Sequence, residues 1–379
     1  MIVTANRKTL LENNKHLLEE AQNTNNPKKR YDALLCYRTV LEVSNSNSLF
    51  KNRFSNFGDL VDFMEAYINN SVAWDKINDF YLNKGENLIE DNDIILKNLL
   101  KSYKKKDLFG PKLEELEMLS RVEKFYSSFD EKLRSIYKEI INYDKNILFL
   151  TKQIGGMSNE LKCNGVSVSS DIIEQKSVFV ANYNNLVTYI SLVHEFGHLI
   201  ACHNNNSFNG KYDICSEVES LFPELVAIYE LMKNDQSVAS CYLMVNSLDS
   251  NLYGIDEIYK LSKVLNMWQE NSFQIDGNYF KSLKDEDISK RYFKKLLEFD
   301  FYENITYING IIIALKLLFL YTKDREEAIH LYKGIVMNNG HDRKKSLRIV
   351  NKVDAAEEMQ ELHNNTMHIL TLEANKKGH

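Results

Sequence analysis

Two histidines and a glutamate in the segment His194-Glu195-Phe196-Gly197-His198 have the residue types and spacing of a metal-dependent hydrolytic site. His194 and His198 are four residues apart, so on a helix they lie on one face, one turn from each other. Two imidazoles in that arrangement can bind one Zn²⁺ ion. The Glu195 carboxylate can take a proton from a water molecule on the zinc and pass it to a leaving amine. The segment therefore predicts a zinc peptidase.

A catalytic zinc of this kind takes a third protein ligand and keeps a fourth position open. Downstream, Glu217 and Glu224 are seven residues apart, which places both on one face of a predicted helix. We predict that Glu217 is the third ligand and that Glu224 contacts one of the histidines on the side away from the zinc. The alternative is that both are solvated helix carboxylates. Glu219 is expected to point elsewhere, and Pro223 to kink or begin the helix.

The elements around the motif are predicted from its flanking sequence. The apolar pattern from Leu186 to Cys202 predicts a helix, and Gly197 within it is expected to mark the close approach of another backbone. Two short strands are predicted before it, over residues 165–169 and 177–181. The rest reads as helical, because a chain with only 3 prolines and 14 glycines favours long helices.

The predicted fold is mainly α: a two-lobed helical metallopeptidase with a small β-sheet beside the HExxH helix. Residues 1–154 are interpreted as a helical N-terminal lobe, including a long amphipathic pattern that runs from Lys112 towards Phe149. Residues 155–379 are interpreted as the zinc-peptidase catalytic lobe. The boundary is placed at Gly155-Gly156, because the sequence changes there from helical to strand patterns.

Composition limits the function classes. Hydrophobic residues make up 44% and charged residues 26% of the 379, which is typical of a folded globular protein. The net charge of -6 gives no reason to expect a nucleic-acid or membrane partner. No signal-peptide pattern is seen, and the apolar stretch from Ile311 to Leu320 is too short to span a bilayer. With five cysteines and no Cys-x-x-Cys, we predict a cytoplasmic protein. The oligomeric state is not indicated.

Three segments resemble the M3 peptidases, the family of thimet oligopeptidase and oligoendopeptidase F. Residues 179–198 are similar to the family's Asn-bearing strand, here with Asn182, and its HExGH helix. Residues 217–224 resemble the Glu-Val-Ala-Ser segment that carries the third ligand. Residues 307–310, Tyr-Ile-Asn-Gly, resemble the family's Tyr-Ala-Thr-Gly, and residues 332–347 its C-terminal helices. The likeness covers about residues 160 to 355.

The resemblance implies a two-lobed helical protein with a deep cleft, Zn²⁺ as cofactor, and hydrolysis of short peptides at internal bonds. It implies that tyrosines near the third segment donate hydrogen bonds to the tetrahedral intermediate. Tyr307 is the best match for this role and Tyr302 a weaker one. The sequence departs from the family at Leu297, where the family has a histidine, and in a shortened N-terminal lobe.

Two alternatives stay open at this point. Small regulatory HExxH proteases that cleave repressors fit the first two segments and not the third, so the chain could be a site-specific protease acting on a protein partner. The missing histidine at Leu297 instead motivates a non-catalytic peptide-binding relative. The intact Glu195 argues against that reading, because a mere binder has no use for the catalytic carboxylate.

Overall fold

The computed structural model describes the histidine motif and the elements that surround it. The described residues are 2–3, 15, 16, 19, 23, 103, 108–143, 146–151, 165–170, 175–204, 217–235, 237–248, 301–337 and 341–377. The predicted lobe boundary at Gly155-Gly156, Leu297, and most of residues 1–107 lie outside them. The division into two lobes therefore stays a prediction.

The described chain is mainly α, with one small sheet, as the sequence predicted. Its helices are α1 (Glu115–Phe129), α2 (Glu131–Asn142), α3 (Leu186–Asn204), α4 (Val218–Asp235), α5 (Phe301–Lys323), α6 (Arg325–Val336), α7 (His341–Asn351) and α8 (Ala356–Lys377). Residues 238–248 are also helical. Its strands are β1 (Ile2–Val3), β2 (Ile147–Thr151), β3 (Gly165–Ser170) and β4 (Gln175–Ala181).

The four described strands form one sheet in the order β1-β2-β4-β3. β1 and β2 pair in parallel, as do β2 and β4, whereas β3 and β4 are antiparallel. β4 buries three consecutive side chains, Val178, Phe179 and Val180, as expected of a strand that is covered on both faces. β3 and β4 confirm the two predicted strands, but β1 and β2 show that these are not the only ones.

The amphipathic pattern from Lys112 towards Phe149 is not one helix. It divides into α1 and α2 and ends in β2. The break is Asp130, which is extended and whose carboxylate accepts hydrogen bonds from two backbone N–H groups in the first turn of α2. A capping carboxylate at that position starts a new helix. Lys333 of α6 donates to the same carboxylate at 2.6 Å and ties the junction to the rest of the fold.

The main hydrophobic core of the described residues joins α1 to α8 with β2 and β4. The helix that carries the histidine motif, α3, lies within it: Leu192, Val193 and Phe196 are at most 2% exposed. Tyr126 of α1 donates a hydrogen bond to the Val193 carbonyl at 2.8 Å. Residues before position 155 thus support the motif directly. None of the helices in the described part of the chain has both the length and the apolarity that a bilayer span needs.

The turn between β4 and α3 sets where the motif helix begins. Asn182 Oδ1 accepts from the Asn184 N–H at 2.9 Å, and Asn184 adopts a left-handed φ of 53°, which asparagine tolerates. Asn185 Oδ1 accepts from the Val187 N–H at 3.0 Å and caps the helix. Thr188 Oγ1 accepts from the Tyr183 N–H. These local bonds fix the direction in which α3 leaves the sheet.

Candidate metal centre

His194 and His198 stand on one face of α3, one turn apart, as their spacing predicts. Their ring centroids are 5.1 Å from each other, and their side chains are 16% and 17% exposed. The opposite face of α3 is anchored in the core, so the two rings cannot rotate away with the helix. A partly buried pair of imidazoles on a fixed helix is a suitable half of a metal site.

Glu217 lies opposite the two histidines, just before α4 begins. Its Oε2 atom is 3.9 Å from His194 Nε2 and 3.6 Å from His198 Nε2. Two atoms that each bind one zinc at about 2.1 Å stand roughly 3.4 Å apart when the coordination is tetrahedral. One ligand atom from each of the three residues lies within 4.8 Å of the others. The donor set therefore fits a zinc ion in both chemistry and spacing.

Gly197 allows the two elements that carry the candidate ligands to come together. A Cβ atom at this position would lie 2.8 Å from Ser220 Cα and would also meet the Glu219 carbonyl oxygen, so a larger residue would push α4 away from α3. This confirms the expected close approach of another backbone. Ser220 is buried at the contact, and its Oγ lies 3.2 Å from Glu217 Oε2. The close packing of the helices places Glu217 in front of the histidines.

Pro223 does not begin α4, which runs through it from Val218 to Asp235. Proline has no N–H to give to the carbonyl four residues earlier, that of Glu219. The Tyr332 hydroxyl of α6 donates to this carbonyl instead, at 2.7 Å. The hydrogen bond that proline removes from the helix is thus replaced from a neighbouring helix, which is why α4 tolerates Pro223 so close to its start.

Each histidine has a carboxylate at its second ring nitrogen. Glu224 Oε2 lies 2.6 Å from His194 Nδ1, and Glu219 Oε1 lies 2.9 Å from His198 Nδ1. The expectation that Glu219 points elsewhere is wrong. Glu217 precedes the helix, so helical spacing counted from it does not give the direction of Glu219. With Nδ1–H donating to a carboxylate, Nε2 of each ring is directed towards Glu217.

Glu195 is 5% exposed and lies against β3. A Cβ atom at Gly165 would lie 2.6 Å from Glu195 Oε1, so the glycine makes room for the carboxylate. Burial raises the pKa of Glu195 above its ordinary value, against the opposing effects of the two histidines and of a hydrogen bond from Ser167. A carboxylate in such a place holds a proton more readily than one in water.

The carboxylates around the histidines favour positive charge between them. Burial by itself lowers the pKa of His198, but Glu217 and the hydrogen bond to Glu219 outweigh it and raise the pKa to about 10. Burial likewise lowers the pKa of His194, but the hydrogen bond and charge of Glu224, together with the charge of Glu195, raise the pKa overall. In the absence of an ion, these raised pKa values favour the protonated imidazoles. A divalent cation at the site would balance the same negative charge, and its binding would release those protons.

The predicted tyrosines lie at the start of α5. Tyr302 and Tyr307 are within the helix, and their side chains are outside the part of the chain that the structure describes. Gly310, one turn after Tyr307, packs against Glu217: a Cβ atom there would lie 2.6 Å from Glu217 Cβ. The helical segment that carries Tyr307 therefore runs beside the third predicted ligand.

Sequence reasoning missed four residues that shape this site: Gly165, Glu219, Ser220 and Tyr332. Ser220 and Glu219 lie in the segment already singled out, and their positions around Gly197 could not be read without the helix start. Gly165 could have been noticed as a glycine at the head of a predicted strand, which often marks a close approach. No signal in the sequence links Tyr332 with Glu219, 113 residues away.

Comparison with solved structures finds similar folds over nearly the whole chain. A Bacillus anthracis str. Ames protein assigned as an oligoendopeptidase F has a TM-score of 0.52 and 13% identity, over 97% of this chain and 70% of that one. A PZ peptidase A solved with an inhibitor gives 0.53 and 14%, over 96% and 71%. Another protein assigned as an oligoendopeptidase F gives 0.50 and 11%, over 97% and 70%.

No protein-family model and no curated protein sequence matches the chain. At identities of 11–14%, the likeness to the solved structures is one of fold. It agrees with the M3 resemblance of the sequence, which rested on the histidine motif and two downstream segments. The chain has the fold of oligoendopeptidase F and PZ peptidase A.

Proposed function

We propose that this protein is a zinc-dependent endopeptidase that hydrolyses short peptides. The observation that carries the proposal is the convergence of one atom each from His194, His198 and Glu217 within 4.8 Å, with the Glu195 carboxylate buried on the same helix. The fold shared with solved oligopeptidases supports a peptide substrate. Cytoplasmic location, and the absence of nucleic-acid and membrane partners, belong to the same proposal.

In this proposal His194 and His198, through Nε2, and Glu217, through its carboxylate, hold the ion. When bound, zinc supplies a Lewis acid that polarises the scissile carbonyl and lowers the pKa of water. Glu224 keeps the tautomer and orientation of His194 by accepting from Nδ1–H at 2.6 Å. The protein's contribution is to hold three ligands in place before the ion or the substrate arrives.

Glu195 is the proposed general base and acid. It takes a proton from the water that attacks the peptide carbonyl carbon, and it delivers that proton to the amide nitrogen as the C–N bond breaks. Its burial favours this role, since a carboxylate whose pKa is raised retains the proton between the two steps. The wall formed by β3 at Gly165 limits where the carboxylate can move.

Tyr307, and secondarily Tyr302, are the proposed donors to the oxygen of the tetrahedral intermediate. This role rests on the sequence resemblance and on the position of their helix, whose Gly310 packs against Glu217. Within the described sheet, β3 is an edge strand beside Glu195. An extended peptide lying along that edge would present a backbone amide near the catalytic carboxylate.

The test is cleavage of quenched fluorescent peptides by the purified protein, with and without a chelator. We expect hydrolysis at internal bonds, its loss on chelation, and its return when zinc is restored. Glu195→Gln should lower kcat/KM by about 10²- to 10⁴-fold, because the proton transfer is lost while the zinc ligands remain. Unchanged cleavage by this variant would sink the proposal.

A second arm separates this function from its alternatives. If the protein cuts a folded protein at one bond and ignores free peptides, it is a site-specific protease. If peptides bind but are never hydrolysed, with zinc near zero by metal analysis, it is a non-catalytic relative.

A further inference from the structure

We propose that Glu219 is a positioning residue of the metal centre: its carboxylate holds Nδ1–H of His198 and so directs Nε2 of that ring at the ion. The inference rests on the proposed function, because it concerns the same site. It assigns a role to a carboxylate that the sequence reading set aside. It also gives the second histidine a partner equivalent to the one that Glu224 gives the first.

The contact has the geometry that the role requires. Glu219 Oε1 lies 2.9 Å from His198 Nδ1, and the two side chains are 15% and 17% exposed. Water therefore competes little with the hydrogen bond. Glu217 Oε2 is 3.6 Å from the other ring nitrogen, beyond hydrogen-bonding distance. The ring is thus held on one side by Glu219 and faces the ion position with the other.

The backbone of Glu219 is held as firmly as its side chain. Its carbonyl oxygen accepts a hydrogen bond from the Tyr332 hydroxyl at 2.7 Å, and Tyr332 is 1% exposed. Pro223 brings no N–H to compete for that carbonyl. Gly197 lets the same carbonyl pack directly on α3. Because the backbone of Glu219 is fixed on several sides, its carboxylate loses little conformational freedom when it binds the imidazole. The His198 ring is thereby preorganised.

A role in positioning differs from a general effect of negative charge near the ion. Two substitutions separate them. Glu219→Gln keeps the length of the side chain and an oxygen that can accept from Nδ1–H, but it loses the charge. Glu219→Asp keeps the charge, but it withdraws the carboxylate by one methylene and breaks the contact. Positioning predicts that the aspartate variant is the weaker zinc binder, and simple charge predicts the reverse.

The experiment measures the zinc dissociation constant of the full chain by competition with a chromophoric chelator at fixed pH. We expect Glu219→Asp to bind zinc about 10- to 100-fold more weakly than the wild type. Glu219→Gln should stay within about fivefold. The visible absorption of the cobalt-substituted protein should shift in the aspartate variant, since the His198 ring is reoriented. Glu139→Asp and Glu139→Gln, at the glutamate 3.0 Å from His203, are the matched controls and should leave zinc affinity unchanged.

Weaker zinc binding by the glutamine variant than by the aspartate variant would overturn the inference, as would two variants that both bind like the wild type. In those cases the wild type still binds zinc and the proposed function stands. A wild-type protein that binds no zinc contradicts the proposed function and this inference together. Circular dichroism of each variant verifies that it is folded, which is expected because both substitutions keep a polar side chain in the first turn of α4.

Discussion

Three histidines on α3 lie close to a glutamate, yet they differ in which ring nitrogens are occupied and in how exposed their partners are. His203, at the end of the helix, has a neighbour at both ring nitrogens: Lys176 Nζ is 3.2 Å from Nδ1, and Glu139 Oε2 is 3.0 Å from Nε2. The Glu139 side chain is 60% exposed. A polar contact that open to water contributes little to stability. His203 therefore forms a surface contact that links α3 with β4 and α2.

His198 and His194 lie five and nine residues earlier on the helix. Each uses Nδ1 for its carboxylate partner, and those carboxylates are shielded from water. Their Nε2 atoms converge on Glu217, at 3.9 and 3.6 Å. A nearby glutamate therefore does not by itself make a histidine a candidate metal ligand. What matters is which nitrogen the glutamate occupies and whether the other nitrogen meets a second donor at a spacing that an ion can bridge.

The largest expected effect comes from separating α3 and α4. Gly197→Ala places a methyl group against Glu219 and Ser220, so the two helices must move apart. We expect stability to fall by about 1–3 kcal/mol and zinc binding to be lost, while the contact between His203 and Glu139 is untouched. Urea unfolding and metal analysis measure the two effects.

Gly334→Ala is the control for that experiment, because its methyl group would meet the Ser346 side chain between α6 and α7. This variant should lose stability and keep its zinc. If Gly197→Ala retained zinc with wild-type affinity, the close approach of the helices would not be what forms the site.

Removing the carboxylate partner of His194, and separately that of His203, tests whether these two histidines differ. Glu224→Ala removes the carboxylate 2.6 Å from His194 Nδ1, and we expect a 10- to 100-fold loss in zinc affinity. Glu139→Ala removes an equivalent neighbour from His203 and should leave zinc affinity unchanged. Isothermal titration or chelator competition measures both. Equal effects of the two variants on zinc affinity would mean that the inferred difference between His194 and His203 is wrong.

The smallest expected effect concerns the support of Glu219. Tyr332→Phe removes the hydroxyl that donates to the Glu219 carbonyl, at a cost of about 1 kcal/mol in the free energy of unfolding. Zinc affinity should fall severalfold, because the backbone behind the carboxylate is loosened. Tyr103→Phe removes a similar bond, to the Leu370 carbonyl at 2.7 Å, and should lower stability without changing zinc affinity. A zinc affinity unchanged in both variants would remove Tyr332 from the site.

The motif helix and the small sheet beside it could be predicted because their signals are local. The spacing of His194 and His198 and the apolar positions around them specify a helix whatever the rest of the chain does. The alternation in residues 165–169 likewise indicates a strand. Glu217 and Glu224 were proposed from helical spacing, and both face the histidines in the structure, although Glu217 itself precedes α4.

The rest depends on contacts between distant parts of the chain. The apolar run in β2 is compatible with a helix end, and its partner β4 lies about thirty residues later, so periodicity cannot reveal the pairing. Glu219 was misplaced because the helix begins at Val218, one residue after the predicted ligand. Such one-residue boundaries are the least predictable feature of a helix, yet here the boundary decides which carboxylate meets His198.

The most direct test of the central claim is the zinc content of the purified protein compared with that of Glu217→Ala. We expect about one zinc ion per wild-type chain and a large loss in the variant, since two histidines alone hold zinc weakly. Glu139→Ala, which changes a glutamate beside a histidine outside the site, should keep its zinc. A wild-type chain without zinc, or a Glu217→Ala variant that binds it as tightly as the wild type, would show that these three residues do not form a zinc site.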